Sequence, residues 1–87
     1  MRESQFFLDT NVIIRFLEGD SPESAERART IMMGLDEGTI SADITEVVIF
    51  ECVYILTNQY KRSREYLTEA LSTILSLASV RVKTSRD

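Results

Sequence analysis

Histidine is absent from this 87-residue chain, and cysteine occurs once, at Cys52. A zinc site built from imidazole and thiolate is thereby excluded, so any metal the protein holds must be held by oxygen. A single cysteine also rules out an intrachain disulfide, and inside an apolar run Cys52 reads as a small hydrophobe. With one proline and no low-complexity tract, no linker, internal boundary or repeat is visible. The longest apolar run falls well short of the roughly 20 residues a membrane helix needs. The N-terminus, MRESQFF, lacks the long apolar region of a signal peptide, so a cytoplasmic location without membrane association is expected. An excess of positive charge is missing too. Ten Lys and Arg against fourteen Asp and Glu leave a net charge of −4, a field that repels a nucleic-acid backbone.

What is present fits an ordinary globular protein, with 44% apolar and 28% charged residues, and residues 1–87 read as one small domain of modest stability. QFFL (5–8) is a short apolar run that stops at Asp9. The following TNVIIRFLEG places Val12, Ile13, Phe16 and Leu17 at helical spacing, so the segment reads as strand, turn, helix. Ser21 as N-cap, Pro22 at the first helical position and Glu23 in the first turn then start a helix reaching about Glu37. Its apolar stripe is Ala28, Ile31, Met32 and Leu35, and Gly38 stands where a left-handed C-cap belongs. TIS (39–41) fits a second short strand.

Thr45 can cap a helix reaching about Tyr60 that contains VVIFECVYIL (47–56), apolar on nearly every side and so expected to be buried. Two short strands are the other reading of those ten residues, and length favours the helix. Ser63 caps a last helix with Glu65 in its first turn and a stripe of Leu67, Ala70, Leu71, Ile74, Leu75 and Ala78. SVRVK (79–83) alternates as a strand does. Strand, two helices, strand, two helices, strand, with connections long enough for crossovers, predicts an α/β fold with a short parallel sheet.

One residue breaks the pattern of VVIFECVYIL, because a carboxylate in an apolar run is costly unless something pairs with it. That residue is Glu51. Asp9 stands at the carboxyl end of the first strand, where ligands of open α/β sheets bind, and Glu51 lies six residues into the helix that starts from the same edge. Two anions in one poorly solvated place raise each other's cost of ionisation, and Mg²⁺ or Mn²⁺ relieves it, since these ions take oxygen ligands and keep several waters. The plain alternatives are a turn or capping role for Asp9 and a solvent- or Arg-facing position for Glu51. Asp43 and Glu46, near the start of the helix that Thr45 caps, either assist this site or favour the helix N-terminus electrostatically, and the latter is the reading adopted.

The stretch FFLDTNVIIRFLEGD, then a helical segment, then EVVIFECVYIL and a final amphipathic helix with a short strand, resembles the N-terminal portion of a PIN domain. It is similar in particular to the toxin ribonucleases called VapC. The resemblance implies a three-layer α/β/α arrangement, Asp9 and Glu51 as catalytic metal ligands, and Thr10 and Asn11 as supporting residues. It also implies Mg²⁺- or Mn²⁺-dependent hydrolysis of RNA by an activated water, and an antitoxin protein as partner. In such domains a further strand and helices carry the remaining Asp ligands, beyond the position matching Asp87. This chain is therefore expected to be the N-terminal portion of the fold, to bind metal weakly, and to form a homo-oligomer through an uncovered sheet edge or its apolar helix.

Arg15 and the cluster Lys61, Arg62 and Arg64 are candidates for phosphate contact, although Lys61 and Arg62 also suit a helix C-terminus that favours cations. Two other readings compete. A phosphotransferase of the haloacid-dehalogenase type also begins with an apolar strand, but it ends that strand in Asp-x-Asp. Asn11 fills the third position here, and an amide cannot serve as general acid. A non-catalytic PIN-like module that binds a protein partner is the alternative from another class.

Overall fold

The computed structural model describes residues 6–84. The chain runs through β1 (Phe6–Phe7), α1 (Thr10–Glu18), α2 (Pro22–Glu37), β2 (Ala42–Thr45), α3 (Glu46–Asn58), α4 (Arg64–Leu75) and β3 (Val80–Lys83). Local chemistry sets most of these boundaries. Asp9, Ser21, Thr45 and Ser63 each cap a helix by accepting a backbone N–H with the side-chain oxygen. Gly19 and Gly38 end α1 and α2 in the left-handed region, at φ 58° and 83°, where a residue with a Cβ is strained.

The three strands are parallel in the order β1-β2-β3, with Phe7 opposite Asp43 and Asp43 opposite Arg81. Both crossovers step the same way across the sheet, and right-handed connections of that kind place their helices on one face. The packing agrees: α1 lies against α2 and α3, and a cavity of about 240 Å³ between α1 and α4 is lined by Phe16, Leu17, Tyr66, Ala70 and Ile74. The described residues thus supply the parallel sheet and one helical layer of a PIN-like α/β fold. Leu8, Ile13, Leu35, Ile44, Leu56, Ile74 and Cys52, contributed by both the sheet and the helices, are fully buried in one core.

Five details differ from the sequence reading. TIS is not a strand: the N–H groups of Thr39 and Ile40 close onto the Gly34 carbonyl as an extension of the α2 C-cap, and β2 begins three residues later, at Ala42. The stripe on α4 stops being helical at Leu75, which leaves Ala78 exposed, and α3 ends at Asn58. Asp43, two residues before the α3 N-cap, lies inside β2, buried, with the Arg81 Nε donating to its Oδ1 at 3.3 Å. The apolar run of α3 is not buried all round: Cys52 and Leu56 are in the core, whereas Val47, Phe50 and Tyr54 are 64 to 71% exposed. Gln5, at the start of the expected first strand, lies outside the described residues. Among the described residues no helix is long and apolar enough to cross a membrane.

Candidate active site

β1 delivers the chain to Asp9, whose extended backbone (φ −96°, ψ 149°) ends the strand path and whose side chain opens α1. Its Oδ1 accepts the Asn11 N–H at 2.6 Å. The next residue, Thr10, turns its hydroxyl to α3 and donates to Glu51 Oε1 at 2.7 Å. One helix start therefore orients both carboxylates, and α3 brings the second one alongside because Thr45 caps it at the end of the adjacent strand. Asp9, Asn11 and Glu51 are exposed and Thr10 is half-buried. Oδ2 of Asp9 and Oε2 of Glu51 make no hydrogen bond among the described residues.

The Cys52 thiol reports on the same place. Burial pushes its pKa up to about 12, with further elevation from the Glu51 and Asp9 charges. An elevated thiol pKa keeps the nucleophilic thiolate scarce at neutral pH. Cys52 is expected to resist alkylation in the folded protein up to pH 9 and to react at the rate of a free thiol in denaturant. Mass spectrometry after iodoacetamide treatment measures this, and fast labelling under native conditions contradicts the burial described.

The donor set suits Mg²⁺ or Mn²⁺ and no softer ion: it is oxygen only, solvent-exposed, and leaves room for the waters these ions retain. Among the described residues no group of three His, Cys, Asp or Glu side chains converges, so no third such side chain joins Asp9 and Glu51 there. Arg15 is exposed on α1, six residues after Asp9. Lys61, Arg62 and Arg64 stand at the α3–α4 corner, against the far end of α1. That is about 12 Å from its first residue at 1.5 Å per residue, so the fold does not bring this cluster to the carboxylates.

Arg62 is engaged there with Glu18: its Nε donates to Oε2 at 2.9 Å, its Nη2 donates to Oε1, and it lies over the Tyr66 ring with 4.9 Å to the centroid. Next to this pair the Tyr60 hydroxyl donates to Asp20, a bond that raises the Tyr60 pKa, with lesser contributions from burial and from the Asp20 and Glu18 charges. Sequence reasoning missed all of these partners and the Thr10–Glu51 bond. Apart from Arg62 on Tyr66, four residues on, each joins residues 40 or more positions apart, and no local pattern announces such a contact.

The sequence matches the PIN domain family over residues 6–86. It is also similar to a VapC ribonuclease of Aquifex aeolicus (strain VF5), with 36% identity over 69 residues that cover 79% of this chain and 50% of that protein. The chain thus spans about half the length of this curated relative. A parallel sheet whose first strand leads to Asp9, a helix carrying Glu51 bonded to the next residue, Thr10, and a family match across every described residue agree: the chain belongs to the PIN domain family.

Proposed function

We propose that the protein is an endoribonuclease of the VapC toxin type that hydrolyses RNA phosphodiester bonds with Mg²⁺ or Mn²⁺, with residues 1–87 forming one domain. The observation that carries this reading is the bond from Thr10 to Glu51, because it ties the second carboxylate to the helix whose N-cap is the first. Asp9 and Glu51 would hold the metal, which when bound supplies charge neutralisation at the phosphate and a lower pKa for a water. The Asn11 N–H keeps Asp9 Oδ1 in place, and the Thr10 hydroxyl does the same for Glu51 Oε1, so each carboxylate offers its other oxygen without reorganising. The start of α1 adds the partial positive charge of a helix N-terminus, which favours anions.

Arg15, Lys61 and Arg64 are the proposed phosphate contacts, with Lys61 and Arg64 meeting the strand a helix length from the carboxylates; Arg62 belongs with Glu18. An antitoxin protein, a homo-oligomer and a cytoplasmic location complete the proposal. The second reading, a non-catalytic module, draws on the presence of two converging acids and no third among the described residues. The test is incubation of the protein, expressed from its full reading frame, with a mixture of structured and single-stranded RNA. Cleavage is expected in Mg²⁺ or Mn²⁺ and none in EDTA. Cleavage that survives EDTA removes the metal-dependent reading, and retained Mn²⁺ binding without any cleavage favours the module.

A further inference from the structure

α1 and α3 each follow one of two paired parallel strands and run side by side in the same direction. Side-chain bonds tie them at both ends: one near the start of α1, the others at or just past its last residue. Thr10 reaches Glu51, 41 residues on, near the start of α1, and past its end Asp20 is reached by Tyr60, 40 residues on. The far end is also the more heavily built. The Glu18 side chain is 3% exposed at a helix C-terminus, where both burial and the helix dipole disfavour an anion. It persists there because Arg62 takes both of its oxygens and the Tyr66 hydroxyl stands 3.5 Å from one of them. To bring Arg62 into place, Lys61 adopts φ 56°, strained for a residue with a Cβ, and the Arg62 N–H closes onto the Leu56 carbonyl at 2.9 Å.

We propose that Glu18, Arg62, Tyr60 and Asp20 form a clamp that sets the register of α1 on α3, and with it the placement of Asp9 relative to Glu51. The clamp residues are positioning residues for the carboxylate pair, and their effect on metal rests on the nuclease reading above. A helix transmits an axial shift along its length, since its backbone is hydrogen-bonded throughout. Mg²⁺ demands near-ideal geometry, so a small slip of one helix past the other matters more to a two-carboxylate site than to the core around it.

The test is a double-mutant cycle by urea unfolding in metal-free buffer, together with Mn²⁺ titration. The ion-pair half of the clamp is removed by Glu18→Gln with Arg62→Met, which leaves no uncompensated buried carboxylate, and the near end is probed by Thr10→Val. Loss of the Thr10 bond is expected to lower the folding constant about fivefold in the wild-type background, as an ordinary hydrogen bond does, and less than twofold without the clamp. Groups this far apart otherwise add independently, so equal factors in the two backgrounds overturn the proposal.

Mn²⁺ affinity is expected to fall at least fivefold in the clamp variant although neither residue touches the carboxylates, and unchanged affinity overturns the proposal as well. If wild type and Asp9→Asn bind Mn²⁺ equally, the metal reading fails, and the unfolding cycle alone decides the clamp. Tyr60→Phe, which deletes one hydroxyl, repeats both measurements in milder form, and the same direction of change is expected.

Discussion

Mn²⁺ affinity is expected to fall tenfold or more in Asp9→Asn or Glu51→Gln, while the unfolding free energy of the metal-free protein stays within about 0.5 kcal/mol of wild type. Both substitutions keep the oxygen that the fold uses. The amide carbonyl introduced at position 9 can still accept the Asn11 N–H, and the one introduced at position 51 can still accept the Thr10 hydroxyl. What is lost is one negative charge at a site with two, the term on which a hard divalent ion depends most. Binding identical in all three proteins would remove Asp9 and Glu51 as ligands. Pronounced destabilisation by Glu51→Gln would instead assign Glu51 to the architecture, as an anchor for α1 and nothing more.

The second large effect separates two faces of α3. Leu56→Ala is expected to cost about 3 kcal/mol, because Leu56 is fully buried and truncation there leaves a cavity under the helix. In a chain of this size that lowers the melting temperature by roughly 12 to 24 °C. Phe50→Ala and Tyr54→Ala, four residues apart on the other side of the same helix and about 70% exposed, should leave the melting temperature almost unchanged. Their effect is expected on association: with Val47 they form a contiguous apolar patch of a kind that drives self-assembly, and the paired substitution should shift the protein toward monomer in light scattering across a dilution series. A wild-type monomer at every concentration would show that this face is tolerated in water.

The elements whose boundaries rest on a cap or a glycine were legible in the sequence. Ser21-Pro22, Gly38, Thr45 and Ser63 each carry a local chemical reason to start or stop a helix, and the structure uses all of them as read. β2 was misplaced because TIS has good strand residues, and only a tertiary fact, the winding of Thr39 and Ile40 onto the Gly34 carbonyl, takes them out of the sheet. The burial of α3 was misread for a related reason. An apolar run states what a helix can bury, not how many neighbours it has, and here one side of Phe50 and Tyr54 has none among the described residues. At the site, the residue types pointed to Asp9 and Glu51, but the Thr10 hydroxyl that bonds Glu51 and the Arg62–Glu18 pair depend on segments meeting across the fold.

Strand order equals chain order in this sheet, which bears on when the parts form during synthesis. Each strand pairs with the one made just before it, so a nascent chain can close β1 on β2 once Thr45 has emerged and can add β3 as soon as it is made. The carboxylate pair cannot exist before Glu51 leaves the ribosome, and the far end of α1 has no partner until Arg62 follows. The scaffold is thus laid down in sequence from the N-terminus, and the arrangement on which any chemistry depends is completed only when the second crossover folds back on the first.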